Sequence, residues 1–219
     1  MSAATPILRV VLPSEAPEIV RIVWQTLGST DAVGSTDAVG ALTLGGSRAR
    51  GTATKLSDWD LYLEGEPAKL MAEIPGLMAP LRPLAAFWEP LSTDAGYMMV
   101  MDGAVKIDLF PIGCRRSLQP PWEPASATLS EIDGHYWDWI LWLGSKALRH
   151  QDALISDELA KMHWFLLGPL GVERTPTDLQ DAVALYLGAR AVTSERLKTS
   201  VPEGLGRQVL TALRQQRLV

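Results

Sequence analysis

The sequence has little of several things that would settle a fold or a chemistry quickly. It holds one cysteine among 219 residues, Cys114. That rules out an intramolecular disulfide framework and any zinc site built from several cysteines, and it suits a reducing compartment such as the cytosol. No apolar run approaches the roughly 18 residues of a membrane-spanning helix. The opening residues, Met1 to Pro6, lack a basic segment followed by an apolar stretch, so no secretory leader is expected. There are only three histidines, His135, His150 and His163, and no two stand at metal-ligand spacing. Basic residues are also scarce: 20 Lys and Arg stand against 25 Asp and Glu, a net charge of −5. Binding to bulk nucleic acid calls for the opposite sign. A cationic or metal-bound small substrate is compatible with this balance, and so is plain solubility.

What is present is an ordinary globular composition, 47% hydrophobic and 21% charged, in a chain long enough for one large domain or two small ones. Residues 14–27 place Ile19, Val20, Val23 and Leu27 at helical spacing, with Ser14 as N-cap and Gly28 as stop. The hexapeptide of residues 29–34 recurs letter for letter at 35–40. Two copies are too few for a solenoid. They read as a duplication in a tolerant loop, or as an extension of the next strand. Residues 41–44 and 58–63 read as strands, 67–79 as a helix broken at Pro75-Gly76, and 97–101 and 104–110 as strands joined by a two-residue Asp102-Gly103 hairpin. Residues 114–130, with Pro120, Pro121 and Pro124, read as a linker. Four helical stretches follow, at 131–149, 153–167, 177–198 and 203–217. The expected architecture is α+β: a mixed sheet with flanking helices in residues 1–113, the linker, and a helical lobe in 131–219.

The informative segment runs from Gly46-Ser47 to Asp58-Trp59-Asp60. Residues two apart in a strand share a face, so Asp58, Asp60 and Tyr62 lie opposite the core-facing Trp59, Leu61 and Leu63. On the later strand Val105, Ile107 and Leu109 take the core face, while Lys106 and Asp108 take the other. If the strands are neighbours, three carboxylates converge. Such a cluster repels itself unless a cation sits within it, and hard oxygen donors suit Mg²⁺. Gly46 and Ser47 offer bare backbone and a hydroxyl to phosphate oxygens. Arg48, Arg50 and Lys55 add positive charge, and Ser57 serves either phosphate or the turn before the strand.

Gly-Ser, ten residues, Asp-x-Asp and a third acid on a following strand resemble the DNA polymerase β-like nucleotidyltransferases, in particular the small antibiotic-type and minimal members. The resemblance covers residues 40–113. It implies two Mg²⁺ ions on Asp58, Asp60 and Asp108, with Asp108 as base toward an acceptor hydroxyl. It implies a nucleoside triphosphate, ATP first among them, bound through Gly46, Ser47, Arg48 and Ser57. The expected reaction moves a nucleoside monophosphate onto a hydroxyl of a small molecule such as an aminoglycoside- or lincosamide-like antibiotic, and releases pyrophosphate. A protein acceptor, as in antitoxin-type members, and a nucleotide-binding module without turnover are the alternatives. A cytoplasmic protein is expected, without nucleic-acid or membrane partners, and a homodimer through the helical lobe is compatible with the resemblance.

In the helical lobe, residues 131–143 are unusual. Trp139, Trp142 and Leu143 fit a core face, whereas Asp133, His135, Tyr136 and Asp138 are candidates for an acceptor pocket suited to a cationic or sugar-like molecule. No Arg-x(4–6)-His motif follows residue 120, which excludes the helical RNase partner known beside some nucleotidyltransferases. Cys114 has no activating neighbour in sequence and reads as inert.

Overall fold

The structure is a computed structural model describing residues 12–28, 39–120 and 122–219. The first helix, α1, spans Glu18–Gly28 and starts later than its periodicity indicates. Pro17 disfavours helix at the residue before it; its carbonyl accepts the first helical bonds, from Val20 and Arg21. Ser14 is therefore not the cap, and its carbonyl accepts a hydrogen bond from Arg21. The duplicated hexapeptide lies outside the described residues except for Val39 and Gly40, which open strand β1 (Val39–Leu44).

One helical turn, α2 (Gly46–Ala49), leads toward β2 (Trp59–Gly65). Helix α3 (Pro67–Met78) follows, capped by the Glu66 carboxylate, which accepts from the amides of Ala68 and Lys69 at 3.0 and 2.9 Å. The expected break at Pro75-Gly76 does not occur. Proline removes one helical bond, but Leu70, Ile74 and Met78 keep a buried stripe on both sides of it. Strand β3 (Ala85–Trp88), which the periodicity did not reveal, pairs antiparallel with β4 (Tyr97–Met101). The turn to β5 (Val105–Pro111) takes three residues, Asp102–Ala104, rather than two. Gly103 and Ala104 both adopt positive φ there.

The sheet order is β1-β2-β5-β4-β3, antiparallel except for the central parallel pair β2/β5. One face of the sheet buries Trp59, Leu61, Leu63, Ile107 and Leu109 against Val20, Val23 and Leu27 of α1 and the apolar stripe of α3. The other face meets the helical region: α4 (Leu129–Ala147), α5 (Asp152–Met162), a π-helical turn (His163–Leu167), α6 (Leu179–Leu197) and α7 (Gly204–Gln215). Helix α4 is buried on nearly every side, as expected of a helix with apolar residues all round. It lies against β3 and β4 and is the spine of a second core with Leu159, Met162, Leu166, Tyr186 and Val209. The chain is thus an α+β protein with a mixed five-stranded sheet and a C-terminal helical region. No helix among the described residues is long and apolar enough to cross a membrane.

Candidate active site

The parallel pairing of β2 and β5 sets Asp60 directly beside Asp108, and Trp59 beside Ile107. Alternation then places Asp58, Asp60 and Asp108 on the face turned away from the α1/α3 core. Each offers a carboxylate oxygen, and these oxygens lie within 4.8 Å of one another. Asp58 and Asp108 are buried and Asp60 half-buried. Burial, with Asp58 adding repulsion, pushes the Asp60 carboxyl up to about 6; Lys106, Lys146 and Arg50 pull against that rise.

The Gly45-Gly46 pair is dictated by the same strand. Gly45 donates its amide to the Asp60 carbonyl at 2.8 Å, and a Cβ on Gly45 would stand 2.2 Å from the Tyr62 ring. Gly46 has φ +59, and a Cβ there would fall 1.5 Å from Asp60 Oδ2. Only glycine lets this turn approach the carboxylate so closely. Ser47 is buried and its Oγ has no hydrogen-bond partner among the described residues.

Arg48 is occupied locally. Its Nε donates to the Asp58 carbonyl at 3.0 Å, a terminal nitrogen donates to the Ser57 carbonyl, and the guanidinium lies 3.8 Å over the Trp59 ring. Ser57 Oγ accepts from the Thr54 amide at 2.8 Å and from Arg149 at 3.2 Å, linking the loop to the helical region. Both residues brace the segment that carries Asp58. Arg115 and Arg116 stand apart from the cluster: Arg115 pairs with Asp94, and Arg116 lies over Trp88.

A fourth carboxylate comes from the helical region. The buried Lys106 ammonium lies 2.8 Å from Asp108 Oδ1 and also donates to Asp138 Oδ1. Two acids hold this lysine charged despite its burial, raising its pKa. Burial raises both Asp108 and Asp138, with Lys106 opposing the rise in each. Beyond the Lys106 ammonium, Asp108 Oδ1 has no donor among the described residues.

Beside the cluster opens a cavity of about 570 Å³ lined by the three aspartates, Lys106 and Asp138, with walls that include Trp122, Trp139, Trp142 and Phe165. His135, Asp138, Trp139 and Trp142 fall at i, i+3, i+4 and i+7, one stripe of α4. The expected pocket set is therefore split. His135 and Asp138 line this cavity, whereas Asp133 belongs to a hydrogen-bonded cluster with Trp137, Tyr186 and Arg190, and Tyr136 stacks on Tyr186. Trp139 and Leu143 sit in the helical core with Trp142 packed against it, as expected, and the two tryptophans also line the cavity. Glu89, Glu158, Trp122 and Phe165 were not anticipated. Trp122 lies inside the segment read as a linker, and only tertiary structure brings it to Phe165, 4.7 Å away between ring centres.

No family model matches the chain, and no curated protein matches it. Among solved structures it is similar to an aminoglycoside 6-adenyltransferase from Bacillus subtilis, with 10% identity, a TM-score of 0.30, and coverage of 82% of this chain and 92% of that one. A likeness of that size is no basis for assigning a function, so the chemistry has to come from the site.

The donor set fits a divalent metal ion. Three carboxylates supply only oxygen, which hard cations such as Mg²⁺ prefer. Burial and the Asp58 charge raise the Asp60 carboxyl, and burial with the charges of Asp138 and Asp58 raises Asp108. A cation among these oxygens would relieve both costs.

Proposed function

We propose that the protein is a Mg²⁺-dependent nucleotidyltransferase that moves a nucleoside monophosphate from a nucleoside triphosphate, ATP first, onto a hydroxyl of a small molecule. The reading is supported by one observation above all: three carboxylates on one face of a parallel strand pair, beside a turn where only glycine fits against Asp60, at the edge of a cavity. Asp58, Asp60 and Asp108 would hold two Mg²⁺ ions, which supply charge neutralisation for phosphate oxygens when bound. The Gly46-Ser47 turn takes the triphosphate, with Ser47 Oγ free to donate. Arg48 and Ser57 keep the Asp58 segment in place. The acceptor hydroxyl forms a bond to the α-phosphorus, the bond from that phosphorus to the bridging oxygen breaks, and pyrophosphate leaves. The hydroxyl proton passes to Asp108. Most of the acceleration would come from positioning and from preorganised charge.

The cavity supports a small acceptor over a protein side chain, because its volume lies in the range of small-molecule sites, about 300–1,000 Å³. Hydroxyl-bearing antibiotics of the aminoglycoside and lincosamide kinds are the first acceptors to try. We keep the division into a 1–113 catalytic part, a 114–130 connection and a 131–219 helical part as part of this proposal.

The test is pyrophosphate release with Mg²⁺, each of the four ribonucleoside triphosphates and a panel of such acceptors. Release that depends on one acceptor and vanishes in Asp58→Asn/Asp60→Asn is expected. Triphosphate bound without release for any small acceptor would turn the assignment toward a protein acceptor or a binding module. Failure to bind triphosphate would overturn it.

A further inference from the structure

Of the six lysines in the chain, Lys106 alone is buried, and the transfer reaction as described gives it no part. It stands two residues before Asp108 on β5, so the two side chains share a face. Its ammonium lies 2.8 Å from Asp108 Oδ1, donates to Asp138 Oδ1, and reaches the Met98 sulfur at 3.9 Å. Met98 is the neighbour of Asp108 across the sheet. Asp138 comes from α4. Among the described residues, Lys106 and Asp138 form the one ion pair that joins the sheet to the helical region.

A lysine buried only to fasten α4 to the sheet would need one acid. This lysine has two, and they are of unlike standing. Asp108 belongs to the group of three carboxylates that could hold a metal ion, and Asp138 stands outside that group. The ammonium therefore brings to the cluster a positive charge from the chain itself. A divalent cation on the Asp108 carboxylate would stand close to that ammonium, and the two would repel. Burial adds to the repulsion, since little water is there to screen it. Asp138 and Met98 give Lys106 partners to keep while it gives up Asp108.

Resting on the reading of Asp58, Asp60 and Asp108 as metal ligands, we propose that Lys106 is an exchangeable counter-ion. It neutralises Asp108 until a divalent cation takes that carboxylate, and then withdraws to Asp138. Lys106 and Asp138 are positioning residues in this scheme, and neither touches the reacting atoms. Two consequences follow from the shared ammonium. Lys106 sets the metal affinity of the cluster by competing for one of its ligands. Its withdrawal also puts the whole of its charge on Asp138, so that metal on the sheet strengthens the hold on α4.

The exchange can be read with Mg²⁺ alone, without nucleotide or turnover. The full chain is labelled with nitrogen-15 at lysine, and the ammonium signals are followed by NMR while calorimetry follows Mg²⁺ binding. A buried, paired ammonium is shielded from exchange with water, which singles out Lys106. Mg²⁺ should move its signal with the same midpoint as the heat. Lys106→Met removes the competitor and should tighten Mg²⁺ by at least about tenfold. Asp138→Asn takes away the charge that receives Lys106 and should weaken Mg²⁺ by about fivefold or more. Glu158→Gln removes a carboxylate from the same cavity, one whose partners are Trp139 and Lys161, and should change the affinity by less than about twofold. A Lys106 signal that stays in place at saturating Mg²⁺ would overturn the exchange. So would a Lys106→Met variant that binds no tighter, or an Asp138→Asn effect no larger than that of Glu158→Gln. In each of those cases the heat of Mg²⁺ binding remains, and the metal reading stands. No heat in either wild type or Lys106→Met would overturn the metal reading and the exchange with it. Should Lys106→Met fail to fold, the wild-type signal and the Asp138→Asn comparison decide.

Discussion

Asp133 and Asp138 stand five residues apart on one helix, and both are buried, yet they live in opposite circumstances. Asp133 receives the Trp137 indole at 3.1 Å, an Arg190 nitrogen at 3.1 Å and the Tyr186 hydroxyl. Every donor comes from the helical region, so the group is closed on itself. Asp138 has one partner, Lys106, which belongs to the sheet and is shared with Asp108. Three residues before it His135 has none. Buried polar groups are normally satisfied by protein or water. Asp133 also borders a cavity, and the Tyr136 hydroxyl on its side is unpartnered among the described residues; the Asp138 side is the open one in that its lysine is shared with the carboxylate cluster.

The sharpest break between the two sides is catalytic. Asp58→Asn/Asp60→Asn should lower pyrophosphate release by about 10³-fold or more, as loss of preorganised charge at a transition state does, while circular dichroism and melting stay near wild type. A coincident loss of fold would mean that the open side is structural after all. Next in size is Asp133→Ala. It strands a buried arginine, a tyrosine and an indole, and should cost about 3–5 kcal/mol in denaturant unfolding. Asp138→Ala leaves Lys106 with Asp108 and should cost about 1–3 kcal/mol but greatly reduce turnover. Equal stability losses in these two variants would erase the contrast.

Gly46→Ala comes third. The left-handed backbone alone costs a non-glycine residue about 1–2 kcal/mol, and the added methyl group must displace the Asp60 carboxylate, so turnover should fall more than stability. The smallest effect is a pH dependence. Asp60 holds its proton up to about 6 in the fold, against 3.8 when free. The folded state therefore binds more protons than the unfolded state between those values, and this contribution to stability is lost as pH rises through 6. In chelator the melting temperature of Asp60→Asn should gain on wild type by about 2–6 °C between pH 4 and pH 7. His135 carries the opposite sign, since its lowered pKa adds stability as pH rises; the Asp60→Asn comparison leaves that contribution unchanged in both proteins. A gap that shrinks with rising pH would contradict the assignment of Asp60.

The sheet and its acidic face were legible because alternation is local. Trp59, Leu61, Leu63, Ile107 and Leu109 mark the core side, and their neighbours follow by geometry. The helices of the C-terminal region were legible from their period, to within a few residues at each end. What escaped was set by tertiary contact. Strand β3 is four apolar residues at a sheet edge, too short to show an alternation, and its partner β4 alone defines it. The unbroken α3 depends on burial outweighing one lost bond at Pro75. The cavity joins Glu89, Trp122, Asp138 and Phe165 from four separate segments, and no spacing connects them. The α4 stripe of His135, Asp138, Trp139 and Trp142 was present in the period, but core and cavity look alike in sequence: both ask for aromatic residues at helical intervals.

The in-register union of β2 and β5 has a consequence for how this chain can change over generations. One residue gained between Trp59 and Asp60 would turn Asp60 into the hydrophobic layer and a leucine outward, ending the site in a single step. Six residues gained ahead of β1 disturb no such alignment, since Asp60 is aligned by Asp108 and not by what precedes Val39. Of the repeated hexapeptide only the last two residues, Val39 and Gly40, enter a strand, and they lie at the open end of β1 and not in the β2/β5 pair.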